Sequence, residues 1–324
     1  MPDREYAAAR AGHLATRSAA GLFDFSFMGQ CEVSGPRARA FLERLQTRNL
    51  AGLAPGKIYY TMLLRKDGSV FNDATVWCLA PERYWLFTGR PDDFDWICRL
   101  QSSREPILAR LSGQFSIMAL QGPRSIDVLR GLFAAPPAYF AFTQAEFAGA
   151  SAWIARLGYS GERGYEILLP AAAGAAAWQA LTRTGVCACS FETANSLRIE
   201  SGYILFANEL AQDPDPFELG LGRLVTSSEC IGAAALRDKR RAGLRRRLVG
   251  LVPTGSVRAA GSLPEAQLTS EVDSPTFGRR LGLGFAPIEH AAPGNLLRLG
   301  DGRLARSARL PFYDPGRVLP RQRA

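Results

Sequence analysis

Two carboxylates stand out by their surroundings. Asp73 lies in the middle of VFNDATVW, flanked by apolar residues. An acid there either faces solvent from an alternating strand or is held inside for a purpose. Glu166 lies in GYSGERGYEILLP, directly ahead of an apolar run. A surface glutamate at a strand start is the competing reading. The segment before it carries Gly158, Gly161 and Gly164, which let backbone approach a ligand closely. Tyr159 and Tyr165 sit in the same segment. A ring to stack on and a carboxylate accepting paired N–H bonds are what a flat heteroaromatic ligand needs.

Other chemistries are poorly supplied. The chain has two histidines, His13 and His290, neither beside a nucleophile-like motif. There is no HExxH, no GxSxG elbow and no phosphate-binding P-loop, and the GLG segments at Gly220 and Gly282 lack the third spaced glycine of a dinucleotide fold. Six cysteines lack paired spacing and read as reduced, buried thiols. Cys187-Ala-Cys189 has no second Cys or His pair after it, so no metal is expected. Any reaction must therefore rest on carboxylates, tyrosines and a bound organic cofactor.

Charge and hydropathy narrow the setting. The net charge is +9, with much of the excess in Arg237 to Arg247 and in the C-terminus. That run reads as a solvated helix face or linker, or as a site for an acidic ligand tail. No aromatic interleaving accompanies it, so nucleic acid is not expected. No stretch reaches roughly 18 uninterrupted apolar residues, so no membrane span is expected. The first residues carry acids and lack an apolar signal core. The expected compartment is the cytoplasm.

The elements that must position the two acids can be read from periodicity. Residues 5–20 form a helix stopped by Gly21, and 23–33 alternate as one strand. Ser34 is the expected N-cap of a helix over 38–46. Residues 58–64 and 70–79 flank Arg65-Lys66-Asp67-Gly68 as a hairpin, followed by a strand over 84–88 and a helix over 92–101. The order then recurs loosely: a strand at 115–120, a helix at 124–132, strands at 145–147, 152–157 and 165–169, and helices at 171–183 and 191–201. In the last helix Leu197 and Ile199 bury while Arg198 points elsewhere. Beyond Leu248 only short strands appear: LVGLV, RLGLGFAP, NLLRLG and GRLARSARL. The fold class is α+β, with a small all-β unit at the end.

These segments together resemble the glycine-cleavage T-protein (aminomethyltransferase) family of folate-binding proteins. The resemblance runs through nearly the whole chain: GLFDFSFMGQCEVSGPRARAFLERL, IYYTMLLRKDGSVFNDATVWCL, LQGPRSIDVL, LGYSGERGYEILLP, NSLRIESGYILFANEL, SPTFGRRLGLGFAP and RLPFYDP fall in the family's order. LGYSGERGYEILLP is the most specific match. The resemblance implies three domains in a ring, the last a small β-barrel. The corresponding division is a folate-binding region of two α+β subdomains over 1–236 and a barrel domain over 237–324. It implies tetrahydrofolate as cofactor. It places Asp73 at the reacting centre and Glu166 on the pterin's N–H edge, with Tyr60, Tyr159 and Arg198 lining or bracing the same pocket.

The departures are informative. Phe27 replaces the family's usual His, Asn72 stands where a second Asp is usual, and Ala194 stands where an Arg is usual. NSLRIESGY is closer to the folate domains of dimethylglycine and sarcosine dehydrogenases, and NDATV is similar to folate-dependent demethylases. The implied activity is a tetrahydrofolate-dependent methyl or methylene transferase, or a demethylase, acting on a small N-, O- or S-methylated donor. The alternative is a non-catalytic folate-binding regulator, or a subunit supplying the folate site to a flavoprotein or other oxidoreductase.

Overall fold

A computed structural model describes residues 2–102, 106–132, 135–254 and 262–322. The chain opens with α1 (Pro2–Ser18), β1 (Gly21–Asp24), β2 (Gly29–Ser34), α2 (Ala38–Leu45), β3 (Ile58–Leu64), β4 (Val70–Ala80), β5 (Arg83–Thr88), α3 (Asp93–Arg99) and β6 (Ile107–Arg110). It continues with β7 (Phe115–Gln121), α4 (Ser125–Val128), β8 (Phe142–Phe147), β9 (Ala150–Ala155), β10 (Gly164–Pro170), α5 (Gly174–Thr182), β11 (Cys187–Ala188) and α6 (Phe191–Glu200). The last part holds α7 (Ala233–Ala242), β12 (Arg246–Pro253), β13 (Glu265–Ser274), β14 (Arg279–Pro287), β15 (Leu296–Leu299) and β16 (Leu304–Ala308).

These strands make two sheets and a barrel. One sheet runs β11-β1-β7-β10-β9-β8, the other β3-β4-β5-β2-β6, and β12-β14-β13-β15-β16 close into a barrel. The expected α+β class with a terminal small barrel is what the chain adopts.

Side-chain alternation gives each sheet two apolar faces. On β10, Tyr165, Ile167 and Leu169 pack outward against α5 residues Ala177 and Leu181, while Leu168 faces the other sheet. The facing layer is aromatic: Trp77 and Phe87 of the second sheet lie 4.9 Å apart by centroid, and Trp77 stacks on Phe142 of β8 at 5.2 Å. Trp85 meets Trp153 of β9 at 4.8 Å. This layer fixes how the two sheets sit, and Asp73 and Glu166 project from strands on either side of it.

The structure corrects several expectations. Residues 23–33 are two strands in different sheets, because the chain turns at 25–28, where Met28 N–H donates to the Phe25 carbonyl at 3.1 Å. Ser34 ends β2; α2 is preceded by Arg37 with no side-chain cap. The expected helix over 124–132 is a single turn. The short strands expected beyond Leu248 leave out EAQLTSEVDS, yet this segment forms β13 and pairs with both β14 and β15 inside the barrel. The basic run divides: exposed Arg237, Arg240 and Arg241 lie on α7, while Arg246 opens the barrel and pairs with Glu218 at 3.0 Å.

Trp77 is 1% exposed at the join between the sheets. Trp77→Ala is expected to cost about 3–5 kcal/mol. The check is a urea midpoint at unchanged slope; a loss below about 1 kcal/mol would show that the aromatic layer does not hold the sheets together.

Candidate functional site

A cavity of about 1210 Å³ lies where the three units meet, taking Tyr60 and Asp73 from the second sheet, Tyr159 from the loop before β10, and Leu248 and Ala308 from the barrel. That is ample for a cofactor-sized organic molecule. A second cavity of about 590 Å³ at the barrel mouth is walled by Arg245, Glu265 and Asp301, among others, and holds none of the acids or tyrosines singled out in the sequence.

Asp73 reaches the large cavity because β4 alternates. Asn72 and Ala74 are buried on one face, and Asp73 and Thr75 project from the other. Tyr60, on the neighbouring strand, donates its hydroxyl to Asp73 Oδ2 at 2.9 Å. Burial pushes the Asp73 carboxyl up to about 6, with a smaller push from the Asp93 charge; the Tyr60 bond works in the opposite direction. Burial and the adjacent Asp73 charge push the Tyr60 phenol well above its ordinary value, so it is a donor at neutral pH. Asp73 is therefore mostly ionised near pH 7 yet able to take a proton.

Tyr159 forms part of the same wall. Its hydroxyl donates to the Ile204 carbonyl, and its ring lies parallel to Tyr203 with centroids 5.7 Å apart and an interplanar angle of 16°. A Cβ at Gly158 beside it would lie 1.9 Å from Gln121 Oε1, so any larger residue there needs the Gln121 side chain to move.

Glu166 is the third residue of β10, opposite Ala119 of β7 and Ala155 of β9. It shares a face with Leu168, so it looks into the apolar layer that includes Phe23, Ala119 and Ala155. The residue is 6% exposed, and its carboxylate has no hydrogen-bond or ion-pair partner among the described residues. Burial alone pushes it up to about 7. Glu166 is thus not a surface residue. It lies in the layer that floors the cavity, to which Ile58, Phe140 and Tyr159 also belong, rather than on the cavity wall itself. Ala194 belongs to the same apolar cluster, so the position where an arginine is usual offers no charge here.

Arg198 is not brought to the cavity. It is fully buried, with Nη1 on Glu209 Oε2 at 2.7 Å and on the Tyr203 carbonyl at 3.1 Å, Nη2 on Ser270 at 2.7 Å, and Nε on Asn195 at 2.9 Å. Every nitrogen is spent inside the protein, so Arg198 sits behind Tyr203 as a brace. The expectation that Leu197 and Ile199 bury while Arg198 points elsewhere is corrected: Arg198 buries too, because Glu209 pairs its charge and Ser270 accepts a further hydrogen bond.

Sequence reasoning missed several wall residues. Tyr203 follows α6 and Tyr139 precedes β8, neither in a distinctive motif. Among the described residues, six arginines, Arg48, Arg223, Arg247, Arg309, Arg317 and Arg321, share the cavity with Asp73 as its one acid. None of the six forms an ion pair among the described residues; Arg48 lies 3.6 Å over the Tyr59 ring and Arg317 5.1 Å over Tyr203. The Arg-rich C-terminus was the available signal. Phe27 is 46% exposed, edge-on to Phe25 and Phe191 at 6.0 Å each.

The sequence and the fold are similar to those of known proteins. The GCVT N-terminal domain model matches residues 3–229. An aminomethyltransferase of Streptomyces avermitilis is 34% identical over 320 residues, covering 91% of this chain and 85% of its own length. A probable aminomethyltransferase of Natronomonas pharaonis is 34% identical over 335 residues, covering 96% and 92%. The chain belongs to the GCVT family. The crystal structure of glycine cleavage system aminomethyltransferase T from Bartonella henselae superposes with a TM-score of 0.85 at 27% identity, covering 95% of this chain and 90% of that one. As a GCVT-family member, the chain is an enzyme of one-carbon-group transfer that uses tetrahydrofolate as carrier.

The Glu166 environment sets a pH dependence. Its folded value is about 7 and its ordinary value 4.5, so its contribution to stability is complete below the ordinary value and is lost as pH rises through the folded one. The full loss is about 3 kcal/mol. Glu166→Gln is expected to flatten the fall in stability between about pH 5 and about pH 8. Parallel urea midpoints for the two proteins across that range would contradict the unpaired burial.

Proposed function

We propose that the protein transfers a one-carbon group to tetrahydrofolate in the manner of a demethylase: a methyl from a small N-, O- or S-methylated donor, or a methylene that the donor already carries at that oxidation level, with the proton lost from the reacting nitrogen passing to the released heteroatom. The observation that carries this reading is the pair of unlike acids. Asp73 is tethered to Tyr60 through Oδ2 and lines the cavity, while Glu166 is buried with no donor among the described residues. Tetrahydrofolate, when bound, supplies the nitrogens that accept the one-carbon unit.

The protein's residues do the rest. Glu166 accepts the paired N–H groups of the pterin's aminopyrimidine edge, which supplies the donors its burial leaves missing. Tyr159 and Tyr203 offer parallel ring faces for a flat heterocycle. Asp73 Oδ2 is held by Tyr60, so Oδ1 is left to accept a proton from the reacting nitrogen and to stabilise positive charge there. The surrounding apolar residues exclude water and strengthen both contacts. The unpaired arginines at the cavity suit the carboxylated tail of the cofactor. Arg198 and Glu209 brace the Tyr203 backbone from behind. The small-donor reading draws on Phe27, Asn72 and Ala194, which depart from the aminomethyltransferase pattern, and on the likeness of NSLRIESGY to the dehydrogenase folate domains. The free cysteines accord with a reducing compartment, and we place the protein in the cytoplasm.

Two variants divide the roles. Glu166→Gln is expected to weaken tetrahydrofolate binding about 10–100-fold by calorimetry, the effect of losing a charged acceptor. Asp73→Ala is expected to lower kcat about 100-fold or more with Kd within about threefold. Unchanged affinity in the first, or retained turnover in the second, overturns that residue's role. Turnover confined to an aminomethylated carrier protein, with none from small methylated compounds, overturns the donor class.

A further inference from the structure

Behind Asp73, on the opposite face of β4, lies a polar cluster that the transfer chemistry leaves unused. Asn72 is fully buried. Its Oδ1 accepts the backbone N–H of Asp73 at 2.9 Å, and its Nδ2 donates to Asp93 Oδ2. Asp93 opens α3 and is 2% exposed. Its other oxygen takes Arg90 Nε at 3.1 Å and Nη2 at 3.0 Å. The Arg90 guanidinium in turn lies between the Phe71 and Phe206 rings, 5.2 and 5.5 Å from their centroids.

The chemistry of position 72 is narrowly set. The register of β4 with β5 ends at the Ala74–Thr88 pair, next to Asp73. An amide presents an acceptor to the Asp73 N–H and a donor to the Asp93 carboxylate at once. A carboxylate at 72 would bring two acids together, and one proton would have to be shared. An aliphatic residue would leave a buried N–H and a buried carboxylate oxygen each short of a bond.

We infer that Asn72 and Asp93 are positioning residues for Asp73: Asn72 fixes the β4 backbone so that the Asp73 carboxylate meets Tyr60 and the cavity, and Asp93 sets a negative charge behind it. This rests on Asp73 as the transfer-site acid. The titratable and charged groups around Asp73 are Tyr60 from β3, Tyr159 from the loop before β10, Tyr203 beyond α6, Asp93 with its partner Arg90 at α3, and the cavity arginines. Among these Asp93 is the group that raises the Asp73 carboxyl, second to burial itself.

The experiment pairs kinetics with a direct titration of the Asp73 carboxyl by carbon-13 NMR on the full chain, assigned with Asp73→Asn. Asn72→Ala is expected to lower kcat about 10–100-fold while KM for tetrahydrofolate stays within about threefold, the pattern of a displaced catalytic group. Asp93→Asn is expected to move the Asp73 midpoint down from about 6, and Asn72→Asp to move it up. These two nearly isosteric variants keep the question open to test if Asn72→Ala does not fold. A lower melting temperature with kcat of the folded protein and the Asp73 midpoint both unmoved would assign the cluster a purely structural role and overturn the inference. Were the wild type to transfer no one-carbon unit, the transferase reading would fail, while the NMR midpoints would still decide whether Asn72 and Asp93 govern Asp73.

Discussion

A carboxylate removed from water must find donors or surrender its charge, and the protein meets that constraint in two ways. Where an acid is structural, it is surrounded. Glu200 is fully buried yet held at about 2: burial works to raise it, but His13, Arg17 and Ser274 outweigh burial. At the cavity and just beneath its floor, the acids are left short. Asp73 lines the cavity with Tyr60 on one oxygen, and Glu166, in the layer below, has no partner among the described residues. The contrast within one chain separates the acids that hold the fold from those that await something else.

The structural acids also hold part of the cavity wall in place. Arg17 of α1 binds the Ser160 carbonyl at 2.7 Å, Glu162 at 3.0 Å and Glu200 at 2.9 Å, while its guanidinium lies 3.7 Å over the Tyr313 ring. His13 bonds Ser196 at 2.6 Å and Thr276 at 2.9 Å. One buried network therefore ties the first helix, α6, the loop carrying Tyr159, the β13–β14 hairpin and the C-terminal segment. The Tyr159 wall and the arginine-bearing tail of the cavity are anchored to the same point. Removing one charge from such a network exposes the others, which makes its members strongly interdependent.

Much of this was legible in the sequence where period and chemistry agreed. The β3–β4 hairpin was marked by a β-branched, aromatic run and an Asp-Gly turn, and it delivered Asp73. The glycine-rich segment before β10 was read as room for a ligand; Gly158 does line the cavity, but its Cβ position and those of Gly161 and Gly164 face Gln121 and Ser201 of the protein itself. What stayed hidden depends on partners distant in sequence. The burial of Arg198 is made tolerable by Glu209 and by Ser270 on the barrel, and no local pattern announces either. β13 is polar because the barrel uses its hydroxyls to serve that pair, so periodicity passes over it. The break at 25–28 lies inside an apolar alternation, and only the placement of β1 and β2 in separate sheets shows it. The arginines of the cavity were visible as composition, but their convergence from α2's far end, the barrel and the C-terminus was not.

The central claim is that Glu166 lacks a donor until the pterin supplies one. Since burial holds its carboxyl near 7, binding must drive off the proton it carries. Calorimetric titration with tetrahydrofolate near neutral pH, in buffers of unlike ionisation enthalpy, counts that proton directly. The account predicts release of roughly half a proton per molecule bound by the wild type, and a release smaller by that amount in Glu166→Gln. Equal proton counts for the two proteins would contradict it.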